Sequence, residues 1–211
     1  MSGALVRKLD MKLNHLSKLL VLLINFTLAI LAILPAEAAA PAGIKKLPTL
    51  EKFAASVNNQ QMGVVAGVYV PGVLALPVKQ QPANHPGYVS ASNGIATQFQ
   101  ATAKGIIGLL AHNDLAGAQF FDLSAGQVVW IVYGDGALKR YRVTRIHRFQ
   151  ALESKNPYSQ LVNLETGVMA SSAQVFNQVY TGEDHITFQT CIAKNGDATW
   201  GRLFVIATPV S

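Results

Sequence analysis

A single cysteine, Cys191, ends one apolar, β-prone run, His185-Ile-Thr-Phe-Gln-Thr-Cys191, and Arg202 opens the next, Arg202-Leu-Phe-Val-Ile-Ala-Thr208. Asn195-Gly196-Asp197 between them is a strong short-range signal for a tight hairpin turn. With the turn centred on Asn195-Gly196, residues whose numbers sum to 391 face each other. Cys191 then lies opposite Trp200, with Arg202 on the same face one diagonal step away. A turn centred one residue later puts Arg202 directly across from the thiol. Either register sets a guanidinium beside the only sulfur nucleophile. What this pair lacks is a base.

Five histidines compete for that part. His15 lies in the N-terminal segment. His185 shares strand and face parity with Cys191, but six residues of strand span about 20 Å, outside proton-transfer reach; it is expected at a strand-end surface. His147 sits mid-strand among arginines, a cation-rich and solvated setting. His85 belongs to the proline-bounded loop Gln80–Gly87, where nothing local positions it. His112 follows the apolar run Ile106-Ile-Gly-Leu-Leu-Ala111, so core packing would anchor its Cα while the ring projects from the strand end. On residues alone it is either a base or a hydrogen-bonded strand cap. The thiol is equally open, since a lone cysteine in an exported chain pairs with another chain, packs inertly, or does chemistry.

Export is read from the N-terminus. Residues 1–18 carry Arg7, Lys8, Lys12 and Lys18, an apolar stretch runs from Leu19 to Leu34, and Ala36-Glu37-Ala38 offers a small-residue cleavage site. Residues 1–40 are therefore a cleaved signal peptide or a retained membrane anchor helix, and both leave the rest of the chain outside the cytoplasm. Of the +6 net charge, residues 41–211 keep +4, from 13 Lys/Arg against 9 Asp/Glu. Most of it is one cluster, Lys139, Arg140, Arg142, Arg145 and Arg148, whose arginines do not keep a single strand parity. It reads as a solvated edge strand kept soluble by charge, with no nucleic-acid partner.

Residues 41–63 read as a linker with one short helix over Thr49 to Asn58, where the apolar positions have helical spacing. Short strands follow over 64–70, 73–78 and 89–92, then a short helix over 96–105 and a buried strand over 106–111. Further strands are expected over 118–123, 128–133, 138–149, 161–164, 186–192 and 203–208, with a short helix over 173–180. The fold class is all-β. About eight short strands with turn signals between them form a closed or nearly closed barrel, the domain spanning 64–211.

Leu109-Leu-Ala-His112-Asn113, then Thr187-Phe-Gln-Thr-Cys191, then Arg202-Leu-Phe-Val-Ile-Ala-Thr-Pro209 resembles the sortases. That family has a histidine at a strand end, a Thr-Leu-x-Thr-Cys strand and an arginine on the next strand, in this chain order. Tyr69-Val-Pro71 with Pro77-Val78, and Phe121-x-Leu123-x-x-Gly126-x-Val128-Val, are similar to its opening strands and to the loop after the histidine. Phe188 stands in place of the usual leucine, and the segment between Cys191 and Arg202 is compact.

The resemblance implies a cysteine transpeptidase. It would cleave a peptide bond in the sorting motif of exported protein substrates, hold the acyl group as a thioester and pass it to an amine acceptor. His112, Cys191 and Arg202 would be catalytic. A neighbouring imidazole and guanidinium favour the charged form of sulfur and so would lower the thiol pKa. Thr190 would offer a hydroxyl or backbone N–H to the oxyanion, or is simply a β-branched strand former. Asn113 would orient His112. No metal and no cofactor are expected. A silent peptide-binding barrel and a secreted thiol peptidase that only hydrolyses are the alternatives.

Overall fold

The computed structural model describes residues 47–210. The signal or anchor expected over 1–40 lies outside the described residues. The first element is the helix α1, Leu50–Val57, capped by Thr49, whose Oγ1 accepts from the Lys52 N–H. Ten strands follow: β1 Val65–Val70, β2 Leu74–Gln80, β3 Ala96–Phe99, β4 Ile106–Leu110, β5 Val128–Tyr133, β6 Leu138–Ala151, β7 Leu161–Asn163, β8 Met169–Ala170, β9 His185–Lys194 and β10 Asp197–Pro209. A 3₁₀ turn, Ala116–Asp122, follows β4, and the helix α2, Ser172–Tyr180, precedes β9.

The strands neighbour one another in the order β10-β9-β4-β3-β2-β1-β5-β6, and β6 pairs back onto β10. Eight strands thus close a barrel with no free edge, while β7 and β8 extend the sheet outward from β6. All pairings are antiparallel except β2 with β3 and β4 with β9.

Side-chain alternation sorts the residues into two layers. Val68, Val70, Leu109, Ile186, Phe188 and Val205 belong to the barrel interior, where Phe120 from the 3₁₀ turn packs edge-on against Phe188 at 5.1 Å. Outside the barrel, α2 lays Val175, Val179 and Tyr180 over Ile106, Phe204 and Ile206. Its start is a capping box, with Ser171 Oγ accepting from the Gln174 N–H and Gln174 Oε1 from the Ser171 N–H. On another side, α1 buries Phe53 against Tyr69 and Val132. Removing the Phe188 ring, fully buried, should cost about 3–5 kcal/mol. Urea unfolding of Phe188→Ala by circular dichroism reads that loss directly.

Four expectations change. Residues 96–99 are a strand, not the start of a helix, because β2 and β4 supply backbone partners on both sides. Residues 89–92 are loop. Gln81 Nε2 donates to the carbonyls of Pro86 and Tyr88, and Thr97 Oγ1 accepts from the Ser90 N–H. Residues 118–123 lie largely in the 3₁₀ turn. The basic strand β6 is no edge, since it pairs with β5, β10 and β7. A β-bulge shifts its parity partway along: Val143 pairs with Ala207 and Arg145 with Ile206, leaving Thr144 as the extra residue, while Arg148 pairs with Leu203 and stays on the other face. The bulge turns Arg145 to the same outer face as Arg140 and Arg142.

Candidate active site

Strands β4, β9 and β10 lie side by side, and the chemistry-bearing residues meet on their outer face. Cys191 on β9 pairs directly with Arg202 on β10. Both lie opposite to the core-facing set Phe188, Leu203 and Val205, so both point out of the barrel, on the side that α2 covers.

On the other flank, β4 runs parallel to β9, from Ile106 beside His185 to Leu110 beside Gln189. The next steps are tied by the Ala111 N–H donating to the Gln189 carbonyl (3.2 Å) and Thr190 Oγ1 donating to the Ala111 carbonyl (2.8 Å). His112 follows directly, exposed, at the end of β4 that leads toward Cys191. Cys191 and Arg202 stand as a cross-strand pair.

β4 ends at Leu110, two residues before the histidine, and the chain turns immediately after it. The N–H groups of Leu115 and Gly117 both donate to the His112 carbonyl, at 3.0 and 2.9 Å. Only glycine fits at 117, since a Cβ there would sit 2.7 Å from the His112 carbonyl oxygen and 2.3 Å from Thr190 Oγ1. The backbone of His112 is thus pinned while its ring is exposed.

Arg202 is held firmly. One terminal nitrogen donates to the carbonyls of Thr199 (2.7 Å) and Gly201 (2.9 Å), and the other to the carbonyl of Ser154 (3.1 Å). A guanidinium has five N–H donors. Three are engaged by backbone, leaving Nε–H and one terminal N–H for a substrate.

The secondary candidates sit differently. Thr190 is buried on the barrel side of β9 with its hydroxyl engaged by Ala111, so that hydroxyl does not face the sulfur. Asn113 does not hold the imidazole; its Nδ2 donates to the Ala198 carbonyl at 3.0 Å. His185 is buried rather than at the surface, its ring nitrogens 2.7 and 2.9 Å from the carbonyls of Glu183 and Val179. His147 is half-buried and its pKa is lowered, chiefly by that burial.

The thiol departs from expectation. Burial pushes the Cys191 pKa up; Arg202 pulls it back only in part, and Asp197 pushes it further up. The resting group at neutral pH is a thiol, not a thiolate. Alkylation of Cys191 by iodoacetamide should therefore rise with pH to a midpoint above the ordinary cysteine value. Mass spectrometry across a pH series measures it.

Sequence reasoning missed the surroundings. A recess of about 130 Å³ opens beside Arg202, lined by Leu161, Val175, Phe176 and Tyr180 from the β7–β9 segment and by Gln189 and Phe204. Gln189 accepts a hydrogen bond from the Tyr180 hydroxyl. The sequence signals for this lining are the short strand over 161–164 and the short helix over 173–180. Asp197 was read as a turn residue alone, yet its carboxylate accepts from the Thr199 N–H and hydroxyl at 2.8 and 2.9 Å.

Solved structures similar to this chain include sortase C from Clostridium perfringens SM101, at 13% identity and TM-score 0.46, covering 76% of this chain and 82% of that one. Others are Listeria monocytogenes sortase A, at 17% identity and TM-score 0.42 over 70% and 88% of the two chains, and Streptomyces coelicolor sortase E1 with a tripeptide in its active site, at 16% and 0.45 over 70% and 88%. No family model and no curated protein matches the chain.

Proposed function

We propose that this protein is a sortase-like cysteine transpeptidase. It cleaves a peptide bond in a sorting motif of exported proteins through a thioester on Cys191 and transfers the acyl group to an amine. The reading rests on the direct pairing of Cys191 with Arg202 across β9 and β10, with His112 just past the end of β4, the strand parallel to β9. The export signal read in residues 1–40 puts the reaction outside the cytoplasm.

The resting thiol needs a base as it attacks. His112 takes the thiol proton while sulfur bonds to the scissile carbonyl carbon, then gives that proton to the departing amine. The two remaining Arg202 donors receive the negative charge that develops on the carbonyl oxygen, already anchored and so at little reorganisation cost. In the second half an incoming amine attacks the thioester. His112 takes the amine's proton and returns it to sulfur as the carbon–sulfur bond breaks. The recess beside Arg202, with its mixed apolar and polar lining, suits the residues on the acyl side of the motif.

Incubating the full chain with a degenerate peptide mixture and glycinamide, then reading products by mass spectrometry, tests this. Glycinamide-capped N-terminal fragments support transfer. Free-acid fragments alone make the protein a peptidase, and no cleavage makes it a binding module.

A further inference from the structure

The β9–β10 hairpin holds two registers. At the turn, Lys194 pairs with Asp197; beyond it, Ile192 pairs with Gly201 and Cys191 with Arg202. Asn195 and Gly196 have φ of 52° and 81°, the left-handed geometry of a two-residue hairpin turn. Continued outward, that turn's own register would put Trp200 opposite Cys191. Instead, Ala193 alone is spanned by Ala198, Thr199 and Trp200, so β10 carries two extra residues. The bulge is what brings the guanidinium to the sulfur.

Its hydrogen bonds identify what holds it. Asp197 grips Thr199 through that residue's N–H and hydroxyl, and its carboxyl is kept below the usual carboxylate range by the Ser154 hydroxyl first and Thr199 next. The carbonyls of the same two residues, Thr199 and Ser154, hold Arg202 at 2.7 and 3.1 Å. Asp197 and Arg202 thus hold Thr199 from opposite ends, one through its N–H and hydroxyl and the other through its carbonyl. Ala198, inside the bulge, ties the same loop to Asn113 beside His112. Gly201 completes the bend, because a Cβ there would stand 2.4 Å from the Phe149 carbonyl on β6.

We propose that Asp197 is a positioning residue that fixes the two-residue bulge, and so sets Arg202 rather than Trp200 opposite Cys191. Its consequence for catalysis rests on the transpeptidase reading; the register itself does not. The Ser154 carbonyl is a second anchor of the same guanidinium.

Asp197→Ala and Asp197→Asn, made in the full chain, separate this from a simple charge effect. The asparagine oxygen still accepts from the Thr199 N–H but carries no charge. Two readouts need no substrate: the cross-strand nuclear Overhauser contacts between residues 191 and 202, and the pH midpoint of Cys191 alkylation. In Asp197→Asn the contacts persist and the midpoint falls, since a carboxylate that raised it is gone. In Asp197→Ala the contacts weaken and the midpoint rises, because the guanidinium leaves the sulfur. Acyl transfer in Asp197→Ala drops about 100-fold, as for loss of an oxyanion donor, and Asp197→Asn restores most of it. Retained contacts with a fallen midpoint in Asp197→Ala overturn the proposal. Should Asp197→Ala not fold, Thr199→Val, which removes the hydroxyl that Asp197 accepts from, serves: a raised midpoint supports the device, and an unchanged one overturns it. If the contacts and midpoints behave as stated but the unaltered chain transfers no acyl group, the positioning stands and the transpeptidase reading falls.

Discussion

Cys191→Ala should abolish peptide cleavage and transfer together, lowering the rate by about 10⁶-fold, the scale of deleting a covalent nucleophile. That corresponds to about 8 kcal/mol of transition-state stabilisation. No second thiol exists in the chain to substitute, and the serine hydroxyl of Cys191→Ser is a far weaker nucleophile beside the same imidazole. The fold should survive, since Cys191 is half-buried on the outer face of β9 rather than in the barrel core. Single-turnover assays with matched circular dichroism spectra separate the chemical loss from unfolding. A variant that keeps measurable transfer would remove sulfur from the mechanism.

Arg202→Ala should cost about 10²–10³-fold in kcat, or roughly 3–4 kcal/mol, if its free donors meet the developing oxyanion. The same change removes the cation that partly offsets burial of the thiol, so the Cys191 alkylation midpoint should move up as well. Arg202→Lys should recover the charge and part of the midpoint shift but little of the rate. A lysine has three donors on one nitrogen and cannot satisfy Thr199, Gly201 and Ser154 while also facing a substrate. Rate and midpoint thereby respond differently to geometry and to charge. Equal recovery of both by lysine would make Arg202 a point charge only.

Much of this site was legible before any coordinates. Asn195-Gly196 announces the hairpin turn, and the apolar runs on either side announce its strands. Ile106–Ala111 announces a buried strand, which is enough to single out His112 among the histidines. The barrel followed from counting short strands. What stayed hidden depends on residues far apart in the chain. The Arg202 guanidinium is anchored by the Ser154 carbonyl as well as by local Thr199, and no window around the turn contains that serine. Residues 96–99 carry alanine and glutamine with helix-like composition, and only the partners offered by β2 and β4 make them a strand. The parity break among the β6 arginines was visible, but its cause, a bulge opposite Ile206 and Ala207, belongs to the pairing with β10. The direction of the thiol titration was misread for the same reason. A neighbouring arginine can be seen in sequence, whereas burial cannot.

The covalent intermediate is the most direct test. The full chain is mixed with the degenerate peptide mixture without added amine, quenched in acid within one turnover and analysed by intact and tryptic mass spectrometry. The account predicts peptide-acyl adducts on Cys191 that are discharged by hydroxylamine and accumulate less once glycinamide is present. Cleavage products that form while Cys191 remains unmodified, or adducts that are equally abundant in His112→Ala, would contradict it.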